Sequence, residues 1–200
     1  MRNGAREAAI PREGEAPRVV PGKFEPIAFA TTFAALIPEG CVVVEEGVTS
    51  GRALFPPTFA AAPHDWLQIT GGAIGHGLPC ATGAAVAARG RKVACLQADG
   101  GGMYSLQALW TQAREKLDVV NVIFANRMYK ILQGELVAVG AQPGNASREL
   151  FDLTRPTLDW VRLANGMGVE AARVDTLEAF ADVFRAACGR AGPFLIELVI

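Results

Sequence analysis

Apolar runs alternate along the chain with segments of helical spacing. The first helical pattern opens at Pro26, a residue suited to a first turn, and keeps Ile27, Ala30, Ala34 and Ile37 on one face as far as Pro38. Cys41-Val42-Val43-Val44 is a short continuous apolar run, which predicts a strand buried on both faces. Trp66–Thr70 predicts a second strand, Gly77–Ala88 a helix and Lys92–Gln97 a third strand. Leu106, Leu109, Trp110, Ala113 and Leu117 recur at helical intervals, and Val119–Phe124 is the most strand-like run in the sequence. Beyond an irregular stretch, Gly140–Pro156, the residues Leu158, Val161, Leu163 and Ala164 predict a helix that stops at Gly166 or Gly168. Val169–Val174 reads as a strand. Asp175-Thr176-Leu177-Glu178 has the form of a capping box for a helix carrying Phe180, Val183, Phe184 and Ala187, and Phe194–Val199 closes the chain as a last strand. Strands alternating with helices, most strands apolar on both faces, predict an α/β fold: a three-layer α/β/α domain on a mainly parallel sheet.

Composition narrows the functional classes. With 200 residues, half of them apolar and a fifth charged, the chain fits one globular domain with a real core. A formal net charge of −1 gives no global attraction to nucleic acid or to an acidic membrane. No run of 18 apolar residues predicts a membrane span, and the first 25 residues mix arginines with glutamates and contain no apolar core of a secretory signal. Residues 1–23, rich in Pro, Gly and scattered charge, read as a linker or flexible segment, and residues 24–200 as the domain. Cys41, Cys80, Cys95 and Cys188 show no C-x-x-C spacing and sit among apolar or small residues, which reads as buried thiols in a cytoplasmic protein.

Candidate chemistry lies in three loops. In an open parallel sheet, ligands bind beyond the carboxyl ends of the strands. The loops there are Glu46–Gly51, Gly71–Gly75 and Ala98–Gly102, all rich in glycine or small hydroxyl residues. Such loops leave backbone N–H groups at helix starts free to face an anion, so a phosphate site is the natural hypothesis, against the plainer reading of tight strand-to-helix turns. Gly72-Ala73-Ile74-Gly75-His76-Gly77 has the dinucleotide spacing in the wrong order, and no glycine is followed by the Lys-Ser/Thr pair of a P-loop. Asp99 ends an apolar strand and is costly to bury without a cation or hydrogen bonds. Asn126 ends the next strand 27 residues later, and a right-handed crossover would bring the two side by side. One carboxylate, one carboxamide, a carbonyl and phosphate oxygens suit a hard divalent ion such as Mg²⁺.

Ala98-Asp99-Gly100 followed by Asn126, with strand–helix–strand between, resembles the G-D-G…N-N signature of thiamine-diphosphate (ThDP) enzymes. Gly71–Pro79 and Tyr104–Trp110 are similar to the corresponding segments of the acetolactate synthase and benzoylformate decarboxylase group. The resemblance runs from about Lys23 to the C-terminus and implies the diphosphate-binding (PP) domain of that family. Two positions differ: Ala98 stands where the signature has Gly and Ala125 where it has the first Asn, neither being an expected metal ligand.

The resemblance implies these roles. Asp99 and Asn126 would hold Mg²⁺ through side chains and Met128 through its carbonyl. Gly100 and Gly101 would offer N–H groups to the diphosphate, with Tyr104 and Tyr129 near it. Thr49 and Ser50 would line the cofactor site, Gly72 would accept the aminopyrimidine N–H, and Ile74 would support the bent cofactor. Ile131 and Leu132 would face a small 2-oxo acid substrate. Read from the residues alone, Ile74 and Leu132 are core, Tyr104 could pack on its own helix, His76 is structural, and His64, beside Pro63 and Asp65, lies on a surface loop. The acid that activates the aminopyrimidine belongs, in the resembling family, to a separate pyrimidine-binding domain, for which 200 residues leave no room. The expectation is therefore a fragment, a truncated product or one partner of a split enzyme. It would be inactive alone, would form a homo-oligomer or seek a partner, and would serve an acetolactate synthase-like carboligation or a decarboxylation. A non-catalytic cofactor-binding or interaction module of the same fold is the alternative. Glu45 and Glu46 are the acids nearest the site.

Overall fold

The computed structural model describes residues 17–142 and 144–200, so most of the stretch read as a linker lies outside the described residues. Six strands form one wholly parallel sheet: β1 (Val42–Glu46), β2 (Asp65–Gln68), β3 (Val93–Ala98), β4 (Val119–Ala125), β5 (Glu170–Val174) and β6 (Phe194–Val199). Their spatial order is β2-β1-β3-β4-β6-β5. Every residue of β1 and β4 is buried, because helices cover both faces of the sheet.

The eight α-helices are α1 (Pro26–Ala34), α2 (Gly77–Ala87), α3 (Asp99–Gly102), α4 (Ala108–Arg114), α5 (Lys130–Ala138), α6 (Asn145–Phe151), α7 (Trp160–Gly166) and α8 (Leu177–Cys188), counted among the described residues. On one face Phe29 and Phe33 of α1 and Phe180 and Phe184 of α8 pack over β3, β4 and β6. The Phe29 ring meets Phe124 edge-on at 5.0 Å between centroids. Full burial of such a side chain stabilises by about 1.5–3 kcal/mol. Leu78, Ala81 and Ala85 of α2, Leu109 of α4, and Trp160 and Ala164 of α7 fill the other face. The three-layer α/β/α expectation is met.

Some local readings are corrected. Ala30, Ala34 and Ile37 are buried as expected, but Ile27 is 55% exposed and Phe29 and Phe33 take the inward face with them, since aromatic rings carry more apolar surface to bury. Gly140–Pro156 is not irregular throughout: it contains α6. Val20, Gly22 and Lys23, placed in the linker by composition, are fastened to the domain. Val20 N donates to Thr32 Oγ1 (2.9 Å), Gly22 N to Glu178 Oε2 (3.0 Å), and Lys23 pairs with Asp175. Thr176 caps α8 by accepting from Ala179 N. All four cysteines are free thiols. Among the described residues no helix is long and apolar enough to cross a membrane.

Candidate functional site

The sheet order places a topological switch at β1: the chain leaves β1 outward to β2, then crosses back to β3 on the other side. The crevice beyond the carboxyl ends at such a switch is where an open sheet receives ligands. A cavity of about 570 Å³ opens there, walled by the ends of β1 to β4 and the loops that follow them.

β3 passes into α3 at Ala98, whose backbone is extended (φ −81°, ψ 147°), so alanine stands there without strain. Asp99 is 2% exposed. Its Oδ1 accepts from Gly100 N (2.8 Å) and its Oδ2 from Arg127 N (2.6 Å). Arg127 adopts a left-handed backbone (φ 59°), which turns the chain after β4 so that its N–H faces the acid. Register sets Ala98 opposite Phe124, and so Asp99 and Asn126 end adjacent strands on the same cavity wall, as the crossover argument predicts. Asn126 Oδ1 accepts from Met128 N at 3.0 Å. A Cβ at Gly100 would come within 2.7 Å of the Tyr129 ring, so only a glycine lets backbone and ring close on each other there.

Twelve of the thirteen predicted site residues line this one cavity: Thr49, Gly72, Ile74, Asp99, Gly100, Gly101, Tyr104, Asn126, Met128, Tyr129, Ile131 and Leu132. Ser50 does not. It is buried behind the loop, its N–H donating to Gly47 O in a tight turn that points the hydroxyl-bearing Thr49 to the cavity instead. Ile74, Tyr104 and Leu132 are 56%, 64% and 43% exposed, which rules out the core reading for Ile74 and Leu132.

Glu45 and Glu46 belong to the end of β1 rather than to a loop, and strand alternation sends them to opposite faces. Glu45 Oε1 accepts from Gly47 N at 2.6 Å, beneath Gly51. Burial pushes the Glu45 carboxyl above its ordinary range, more than its backbone hydrogen bonds lower it. Glu46, fully buried, accepts from Gly75 N (2.6 Å) with Oε1 and from Gly77 N with Oε2. Sequence reasoning missed Arg52, Gln68, Ile69 and Lys130 as cavity residues. For none of the four did the local sequence carry a signal: Gln68 and Ile69 reach the cavity through the β2-β1-β3 strand order.

Residues 54–198 match the family described as thiamine pyrophosphate enzyme, C-terminal TPP binding domain. The chain belongs to this family. Among its relatives is IlvX of Mycobacterium tuberculosis, whose name attaches it to the acetolactate synthase large subunits. IlvX is 50% identical over 186 residues, covering 92% of this chain and 36% of the relative. Benzoylformate decarboxylase of Pseudomonas aeruginosa is 29% identical over 179 residues, 88% of this chain and 32% of that protein. The solved structure of the thiamine diphosphate-dependent 4-hydroxybenzoylformate decarboxylase of Rhodococcus jostii RHA1 superposes with a TM-score of 0.77 at 30% identity, covering 94% of this chain and 35% of that one. The chain thus spans about a third of the length of these relatives.

The TPP binding domain has a donor set that fits a hard cation and a diphosphate (pyrophosphate). Among the described residues no three His, Cys, Asp or Glu side chains cluster as a metal site. One buried carboxylate, one carboxamide and main-chain groups are instead oxygen donors of the kind that could hold a hard cation such as Mg²⁺ together with phosphate oxygens. Among the described residues Asp99 has no basic side chain as a partner, and burial, aided by Glu197, pushes its carboxyl up to about 6 against the opposing Arg127 and Gly100 N–H groups. A raised carboxyl pKa favours the folded state when protonated. Stability from this group is therefore full below the ordinary value of 3.8 and is lost as pH rises through about 6. Without added cations, the unfolding free energy from urea titrations should fall across that window by an amount on the order of 3 kcal/mol at most. Asp99→Asn should flatten the fall; an unchanged pH profile in this variant would contradict the assignment.

Proposed function

We propose that this TPP binding domain holds ThDP and Mg²⁺ for chemistry on small 2-oxo acids, by carboligation or decarboxylation. The observation that carries the reading is the convergence of Asp99, Asn126 and Met128 with the Gly100–Gly101 turn on one cavity. In this reading the Asp99 and Asn126 side chains and the Met128 carbonyl hold the cation. Backbone N–H groups of Gly100 and Gly101 take the diphosphate, with Tyr104, Tyr129 and Thr49 beside it. The Gly72 carbonyl and Ile74 orient the aminopyrimidine and thiazolium rings, and Ile131 and Leu132 face the substrate. When bound, the cofactor supplies an electron sink for carbanion chemistry. The chain's own part is to neutralise phosphate charge, fix ring orientation and keep the reacting face apolar.

Among the described residues the cavity has no acid free of backbone hydrogen bonds. Glu46 is engaged through both oxygens, Glu45 bonds its own loop, and Asp99 accepts two backbone N–H groups. We therefore assign the activating acid to a pyrimidine-binding domain of the same or another polypeptide. That domain would also cover the exposed Ile74, Tyr104 and Leu132, and a homo-oligomer is one way to supply it. Four free thiols accord with a cytoplasmic setting. The test supplies a pyrimidine-binding domain in trans, with ThDP and Mg²⁺, and follows pyruvate and benzoylformate. Consumption is expected only when both domains are present. Cofactor binding with no turnover under any pairing would favour a non-catalytic cofactor-binding module.

A further inference from the structure

The Gly71–Gly77 segment leaves the sheet edge, carries Gly72 and Ile74 on the cavity wall, and enters α2. Gly71, Gly72 and Gly75 all have left-handed backbones, so the segment has little conformational preference of its own. Three buried side chains compensate. Glu46, from the end of β1, accepts the N–H groups of Gly75 and Gly77 with its two oxygens. Ser105 Oγ donates to Gly75 O at 2.7 Å, so Gly75 is held at both its N–H and its carbonyl. Gln97, with its amide oriented to match its neighbours, donates to Glu46 Oε2 at 3.1 Å and accepts from Gly102 N at 3.2 Å. A Cβ at Gly75 would come within 2.7 Å of Tyr104 Cβ, and one at Gly77 would strike Gln97, so the segment lies directly against the end of β3 and the turn that follows α3.

We propose that Glu46 is a positioning residue, a buried carboxylate that clamps the Gly75–Gly77 turn and so sets the Gly72 carbonyl and Ile74 against the rings of ThDP. The inference rests on the cofactor reading above and adds the residue that orients its ring-binding wall. Glu46 packs beside Gly101 on the cavity wall, but among the described residues its hydrogen bonds run to Gly75, Gly77 and Gln97 and not to Asp99, Asn126 or the Gly100–Gly101 turn. Its effect should therefore separate the two ends of the cofactor: the diphosphate end is held by Asp99–Gly101, the ring end by the clamped turn. Loss of a hydrogen bond to a charged group weakens an interaction by about tenfold or more.

The test compares wild-type protein, Glu46→Gln and Ser105→Ala by titration with ThDP and with inorganic pyrophosphate, both in Mg²⁺, and by amide hydrogen exchange of the unliganded chain. Glu46→Gln keeps the volume but turns an NH₂ donor toward one of the two N–H groups. ThDP affinity is expected to fall about tenfold or more, with pyrophosphate affinity nearly unchanged and exchange faster at Gly75 and Gly77 but not in β3 or β4. Ser105→Ala should show the same split at about fivefold, and it carries the test if Glu46→Gln does not fold. Unchanged ThDP affinity, or equal losses for ThDP and pyrophosphate, overturns the positioning role. Wild-type protein that binds pyrophosphate but not ThDP would instead remove the cofactor reading and the proposal with it.

Discussion

Replacement of Asp99 by alanine abolishes Mg²⁺-dependent ThDP binding and leaves the sheet folded. The carboxylate is 2% exposed and faces no cation among the described residues, so its desolvation is compensated by backbone N–H groups, chiefly those of Gly100 and Arg127. A divalent ion supplies the missing counter-charge, and no neighbouring carboxylate takes over once Asp99 is gone. Loss of a direct ligand should exceed the 10–100-fold cost typical of outer-shell partners, so affinity in Mg²⁺ falls by more than about 100-fold. Stability moves much less. Removing an uncompensated buried charge stabilises the unliganded domain, and orphaning two N–H groups costs about 1–3 kcal/mol each before water enters the space vacated. Melting by circular dichroism should therefore stay cooperative and near the wild-type midpoint. Equal ThDP affinity in mutant and wild type would sink the metal assignment.

The second large effect is an absence of turnover by the isolated chain. Saturating ThDP and Mg²⁺ should give no consumption of pyruvate or benzoylformate above background. Holding the cofactor is not activating it, because loss of the thiazolium C2 proton needs an acid near the aminopyrimidine. Glu45 and Glu46 are the nearest acids in sequence, and the structure engages both with backbone N–H groups of the loops they support. C2-proton exchange on bound ThDP is expected to be slow in wild type and unaltered in Glu45→Gln. Fast exchange by the isolated chain, lost in Glu45→Gln, would make this domain self-sufficient and overturn the need for a second domain.

Much of this arrangement was legible in the residues because burial imposes composition. β4 is Val-Val-Asn-Val-Ile-Phe-Ala, a run that only a strand covered on both faces accommodates, and the Asp99–Asn126 pair follows from two such strands lying side by side. Elements that bury little left no comparable trace. Helix α5 has no buried residue, so no apolar stripe marks it, and α6 buries only Phe151. The end of β1 was obscured for the opposite reason. Acids do not predict strand, yet Glu45 and Glu46 continue β1 because loop N–H groups satisfy their carboxylates. Ser50 failed as a cavity residue because a one-residue rotation within a tight turn cannot be read from small polar composition. Gln68 and Ile69 enter the cavity through the β2-β1-β3 order, a long-range property that no local pattern encodes.

Isothermal titration of the chain with ThDP, in the presence and absence of Mg²⁺, tests the central claim most directly. The cavity built around Asp99, Asn126 and Gly100 predicts saturable one-to-one binding with Mg²⁺ that weakens severely once the ion is chelated. No binding in Mg²⁺, equal binding without it, or binding of a nucleotide in place of ThDP would contradict it.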